Sequence, residues 1–273
     1  MNHEILTSLQ NPRVKHLVRL RERRERDDTQ TFLIEGYREL LRAIDANQPL
    51  EALYVCPSLF LGTNEQELIQ RISSQGAAVY PCHETVFRKI SYRDRPDGLV
   101  AVGKQRHRTL DELQKLLPKK EPPFLVVAEA IEKPGNLGTI LRSSDAVAIH
   151  GLIVCDQCTD IYNPNVVRAS VGTLFTVPVF EATSAQTLQW LKAQGILIVA
   201  ATPAATHEFT QVDLSGPVAI AVGTEQVGLS EAWMQEADIQ VRIPMCGVAD
   251  SLNVATATTV LLYEVLRQRR NKS

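Results

Sequence analysis

Asn136 and Arg142 stand six residues apart in EAIEKPGNLGTILRSSDA, an amide and a guanidinium following a Pro-Gly turn. Pro134 and Gly135 turn the chain out of an apolar run, and Asn136 reads as the N-cap of the next helix. Leu137, Ile140, Leu141 and Ser144 then share an inward face, while Gly138, Arg142 and Asp145 share another. A glycine one turn below Arg142 leaves room for a phosphate or ribose. A capped helix with an Arg142–Asp145 surface pair explains the same residues and stays open.

Two more stretches carry candidate groups. In AIAVGTEQVGLSEAW, Gly223 and Gly228 bracket Glu225 just past an apolar strand ending at Val222. Glycines there let a ligand reach main chain. The spacing lacks the third glycine of a dinucleotide fingerprint and the Lys-Ser/Thr of a phosphate loop. It is no G-x-S-x-G elbow either, because Glu225 stands in the serine's place. In IPMCGVADSLNVATATTVLLYEVL, Gly247, Ala249 and Ser251 surround a loop around a buried-looking Ser-Leu-Asn. Such a loop could wrap a flat ligand with backbone groups. Asn253 can cap the last helix, whose first turns are thin from Ala255 to Thr259. Val254, Ala257, Leu261 and Val265 form its buried stripe. A ligand or another stretch of backbone would equally account for so little side chain.

The elements that position these groups follow from patterning. The 273 residues suggest two domains, and 44% apolar with 22% charged content is that of a soluble globular protein. No run of about 18 apolar residues marks a membrane span. The first residues lack the apolar core of a secretory signal, so a cytoplasmic location is expected. Cys155 and Cys158 form the one C-x-x-C among five cysteines. No second pair completes a zinc set, so buried strand-end thiols are expected, with no metal and no disulfide.

Net charge is −2, but residues 1–120 hold 20 Lys/Arg against 16 Asp/Glu, and residues 121–273 hold 9 against 15. Arg13 to Arg26 contains seven basic residues and two acidic ones. That cluster fits a polyanion-binding surface. It also fits a solvated helix laced with i,i+4 pairs such as Glu22–Arg26.

TFLIEG, EALYVC, AAVYP and GLVAVG read as strands alternating with helices in a small α/β domain, residues 1–105. Residues 106–122 form a linker ending in lysines and prolines. Residues 123–273 alternate again, with FLVVAEA, GLIVCD, TVPVFE, ILIVAAT and VAIAVG apolar throughout. Such runs predict a parallel sheet covered on both faces, with the ligand at its strand ends.

Taken jointly, PGNLGTILR, GTEQVGLS and IPMCGVADSLNVATATTVLLYE resemble the three motifs of the SpoU (TrmH) family, RNA ribose 2′-O-methyltransferases of the SPOUT class. IYNPNVVRASVGTLFTVPV is similar to that family's connecting segment, and TFLIEGYRELLRAI to the accessory substrate-binding domain of its ribosomal-RNA members. The resemblance implies S-adenosylmethionine bound in a deep trefoil knot built by the loops around Gly223 and Ile243–Asn253. Gly223, Ile243 and Leu252 would contact the cofactor, with Ala201 and Thr202 as further candidates. Arg142 would be the central catalytic residue, with Asn136, Glu225, Ser251 and Asn253 around it. A homodimer is implied, in which Arg168 could reach the partner's active site or make a structural ion pair. Arg13, Lys15, Arg19 and Arg21 would grip RNA phosphates. Gln226 stands where many members have glycine. A transfer-RNA substrate, a base-nitrogen methyltransferase, or a non-catalytic RNA-binding protein on the same fold are the alternatives.

Overall fold

The computed structural model of the chain describes residues 4–272. Its elements begin with α1 (Pro12–Arg19), α2 (Arg23–Thr29), β1 (Thr31–Glu35), α3 (Tyr37–Asp45), β2 (Leu50–Val55), α4 (Glu65–Ser74), β3 (Ala78–Pro81), α5 (Glu84–Ile90) and β4 (Leu99–Lys104). There follow α6 (Leu110–Leu116), β5 (Phe124–Glu129), α7 (Pro134–Ala146), β6 (Gly151–Cys155), α8 (Pro164–Ser170), β7 (Val179–Ala182), α9 (Ser184–Ala193) and β8 (Leu197–Ala201). The last are β9 (His207–Glu208), β10 (Val218–Val222), α10 (Glu231–Glu236), β11 (Ile239–Arg242) and α11 (Val254–Lys272). They divide into two compact units. One comprises the chain up to Arg106 together with Asp160–Thr176, and the other comprises His107–Thr159 and the chain from Val177 onward.

The four apolar runs of the first unit are its four strands, in the order β1-β4-β2-β3. β4 is antiparallel to both neighbours, and β3 runs parallel to β2. Val14 and Leu17 of α1 and Val86 and Phe87 of α5 bury their apolar stripes against Leu33, Val100 and Val102. Asp160–Thr176 joins this unit through Tyr162 and Phe175, whose ring centroids lie 4.4 and 6.2 Å from that of Phe32.

Beside these rings, Arg26 Nε donates to Asp160 Oδ2 at 2.6 Å, with side chains only 1% and 9% exposed. The same guanidinium donates to the Leu20 and Arg21 carbonyls, each at 2.8 Å. This corrects the reading of Arg26 as part of a solvated basic face paired with Glu22. A buried charge must be paired and hydrogen-bonded, and Asp160 does this from far along the chain.

The second unit is a seven-stranded sheet in the order β7-β6-β5-β10-β8-β11-β9, parallel at every pairing. The expected parallel α/β sheet is therefore present. Every residue of β5 and β10, the paired inner strands, is buried. Leu125, Val127, Ile153, Phe180, Ile198 and Trp233 share one core cluster. Truncating one of its leucines or isoleucines to alanine costs about 2–5 kcal/mol. β9 and β11 do not show as apolar runs because they lie toward one edge, where HE and IQVR can keep polar side chains. Among the described residues no helix is long and apolar enough to cross a membrane.

Candidate active site

β10 delivers the chain to Gly223, where any side chain would strike the backbone of Gly228 and Leu229. The loop closes on itself there: Thr224 N donates to Gly228 O at 3.0 Å, and Gly228 N returns to Thr224 O at 3.1 Å. Gly228 has φ +72°, a conformation that glycine adopts without steric cost. Gly223 therefore serves the loop's own close approach. The ring projects Glu225, Gln226 and Val227 outward, all exposed.

Glu225 collects three donors from two places in the chain. Lys133 Nζ, just ahead of α7, and Asn253 Nδ2, just ahead of α11, both donate to its carboxylate. Asn136 Nδ2 donates at 3.1 Å. Asn253 Nδ2 also lies 3.1 Å from Asn136 Oδ1, which closes the cluster. The Lys133 ammonium first, then the two amides, hold the Glu225 carboxyl below the ordinary carboxylate range. Asn253 Oδ1 meanwhile accepts from Ala255 N at 3.0 Å, so it does cap α11. Asn136 lies inside α7, whose N-cap is Lys133 with Pro134 at the first position, so its reading as a cap is corrected.

A cavity of about 360 Å³ opens beside this cluster at the C-terminal ends of β8, β10 and β11. Ala201, Thr202, Gly223, Ile243 and Leu252, all five residues proposed for the cofactor, line it, as do Glu225 and Ser251. Val222, Val241 and Leu261 give it an apolar floor, with half-buried Ala257 keeping α11 thin. The volume falls in the range of small-molecule sites, roughly 300–1,000 Å³. The Ser-Leu-Asn that looked buried in sequence is open instead: Ser251 and Asn253 are exposed and Leu252 half-buried.

Arg142 lies apart from that cavity. It is exposed on α7, has no hydrogen bond or ion pair with the described residues, and sits about 9 Å along the helix axis from Asn136. Gly138, expected on the same open face, is buried, whereas Leu137, Ile140, Leu141 and Ser144 point inward as expected. Of the basic candidates, Arg13 stacks 4.8 Å over the Tyr80 ring and Arg19 pairs with Glu25 at 3.2 Å. Arg21 donates to the Lys89 and Ser91 carbonyls at 2.8 and 2.7 Å. Lys15 is exposed, as is Arg168, which donates to Asn165 Oδ1 at 3.3 Å. Cys155 is buried, and burial pushes its thiol up to about 12, but Cys158 is exposed, against expectation.

Sequence reasoning missed two residues. Lys133 had one signal, its place directly before Pro134. Glu129 is an acidic residue inside the apolar run FLVVAEA, and it is only 5% exposed. Its carboxylate accepts from Ser230 N at 2.7 Å, Ser230 Oγ at 2.6 Å and Ser184 Oγ at 3.0 Å. Trp233 Nε1 donates in turn to Ser184 Oγ at 2.9 Å. Glu129 thus pins the far end of the Glu225 loop to β5.

Residues 123–263 match the SpoU rRNA Methylase family, and residues 11–101 match the MRM3-like substrate binding domain. The chain is 32% identical to the 23S rRNA (uridine(2479)-2′-O)-methyltransferase of Streptomyces viridochromogenes, over 90% of this chain and 86% of that one. It is 26% identical to the 23S rRNA (guanosine(2553)-2′-O)-methyltransferase RlmP of Bacillus subtilis, over 95% and 98%. Its fold superimposes on the AdoMet-bound rRNA methyltransferase of Sinorhizobium meliloti with a TM-score of 0.87, at 32% identity and covering 97% of both chains.

Proposed function

The chain belongs to the SpoU rRNA methylase family, and from that premise we propose that it methylates a ribose 2′-hydroxyl of ribosomal RNA, using S-adenosylmethionine. One observation carries the reading. The cavity and the Asn136–Glu225–Asn253 cluster share Glu225, so a small-molecule site opens directly onto a polar cluster that could face a second substrate. The relatives' names favour ribosomal over transfer RNA.

The cavity suits the cofactor. Backbone of Gly223, Ile243 and Leu252 can meet the edge of an adenine, Val222 and Leu261 its face, and the Glu225 and Asp250 carboxylates a cationic group. When bound, S-adenosylmethionine supplies a methyl group already activated on sulfur. The protein's part is alignment of the hydroxyl and disposal of its proton. Glu225, held by Lys133, Asn136 and Asn253, fixes the rim, and Ser251 offers a hydroxyl beside it.

A guanidinium offers donors and no acceptor, so the proton leaves to phosphate or water rather than to Arg142. Exposed and without a partner among the described residues, its guanidinium is available to clamp the target phosphate and lower the cost of the developing alkoxide. The family's trefoil knot would be formed by the loops around Gly223 and Ile243–Asn253, with α11 threaded through them. The active form would be a cytoplasmic homodimer in which Arg168 reaches the partner's site. The first unit would grip RNA, with Lys15 and Arg13 among its phosphate contacts.

The test is transfer of labelled methyl to ribosomal RNA from cells lacking this protein, with Arg142→Ala as control. An alkali-resistant labelled dinucleotide is the expected product. Cofactor binding without transfer to any RNA would reassign the protein to RNA binding alone.

A further inference from the structure

The first unit holds a second cavity, of about 480 Å³, lined by the start of α3 at Tyr37 and Arg38, the loop Leu61–Asn64, and by Arg93, Asp97 and Val171. Its polar groups are incompletely used. Among the described residues, the side chains of Arg38, Thr63 and Asn64 have no hydrogen-bond partner. Asp97 is only 9% exposed: its Oδ2 accepts from Tyr37 N at 2.8 Å and faces the Arg93 guanidinium at 3.9 Å, while its Oδ1, itself out of reach of solvent, has no donor among the described residues. Buried acceptors are seldom left so.

One wall is also strained: Val171, a β-branched residue that lines the cavity, is held at φ +54°. Strain of this kind collects at sites that bind. At the rim, Leu61 is 81% exposed.

The carboxylates of Glu39, Glu65 and Asp97 outnumber the guanidinium groups of Arg38 and Arg93, which disfavours a bare phosphate. A nucleobase matches better: it has apolar faces and an edge carrying both donors and acceptors. Resting on the RNA reading above, we propose that this cavity receives an unstacked base of the substrate RNA. Leu61 and Tyr37 meet its faces, Asn64 and Thr63 its edge, and Arg38 the flanking phosphate. The cavity would then select sequence where the basic helix only positions.

The full-length protein is titrated with deproteinised large-subunit ribosomal RNA, alongside Asn64→Ala, Leu61→Ser and Arg38→Ala, all exposed positions. Asn64→Ala and Leu61→Ser are each expected to weaken binding roughly tenfold with the salt dependence unchanged. Arg38→Ala is expected to lower the slope of log affinity against log salt by about one. Cofactor affinity stays at the wild-type value in all three, which separates the effect from misfolding. If wild type methylates the RNA and all three variants match its RNA affinity and KM, this inference is overturned and the proposed function stands. If wild type itself neither binds nor methylates the RNA, the proposed function fails and takes this inference with it. Variants normal on free RNA but weak on assembled subunits would make the cavity a protein-docking site, which also overturns it.

Discussion

Asn253 does two jobs that a pair of substitutions separates. Its Oδ1 caps α11 through Ala255 N at 3.0 Å, and its Nδ2 reaches Glu225 and Asn136. Asn253→Asp keeps an equally good cap and puts negative charge at a helix N-terminus, so stability changes by no more than about 0.5 kcal/mol. It also replaces a donor to Glu225 with a second carboxylate, which mutual repulsion would hold at roughly 3 Å or more. Two unit charges at that distance repel by about 1.4 kcal/mol at the dielectric constant of water, and this rim is exposed.

Because 1.4 kcal/mol is a factor of about ten in proton affinity, Glu225 protonates about one pH unit higher in the variant. The sign follows from the wild-type shift. Lys133 lowers the Glu225 pKa, so the ionised cluster persists above that pKa and is lost as pH falls through it. The acid limb of methyl transfer, measured as kcat/KM against pH, should therefore move up by about one unit in Asn253→Asp. Asn253→Ala loses the cap as well, and its urea midpoint should report a loss of about 1 kcal/mol. A pH profile for Asn253→Asp superimposable on wild type, or an Asn253→Ala as stable as wild type, would refute the assignment of these two roles.

Lys133→Ala removes the largest cause of Glu225 acidity, so its acid limb should also shift upward, and Lys133→Arg should restore it. Gly223→Ala places a methyl group against the backbone of Gly228 and Leu229, and calorimetry should find cofactor affinity at least about tenfold weaker with the fold retained. Arg26→Met strands the buried Asp160 carboxylate and should cost the first unit about 3–5 kcal/mol in urea unfolding, most of it recovered in Arg26→Met/Asp160→Leu. Iodoacetamide on the native protein, read by mass spectrometry, should label exposed Cys158 and Cys246. It should spare buried Cys155 and Cys82, whose thiols are both pushed up to about 12.

Local pattern was enough for the strands of both sheets, apart from β9 and β11, because an apolar run or alternation reports burial wherever the chain lies. It was enough for the cap at Asn253, since capping involves residues within one helical turn. Of the five cavity residues, Gly223, Ile243 and Leu252 were legible through the motifs, and Ala201 and Thr202 through their place at the end of an apolar strand.

What sequence alone could not show are pairings between distant residues. Arg26 reads as surface charge until Asp160, 134 positions away, buries it. Glu129 reads as an interruption of a strand until Ser184 and Ser230 are brought to it. Lys133, Asn136, Glu225 and Asn253 span more than a hundred positions and become one cluster only because a parallel sheet delivers its strand ends to a common edge. The sequence by itself determined which elements form and which residue types are available. The tertiary structure decided which charges meet and where the two cavities open, because electrostatics and cavity shape depend on distance in space, to which separation along the chain is a poor guide.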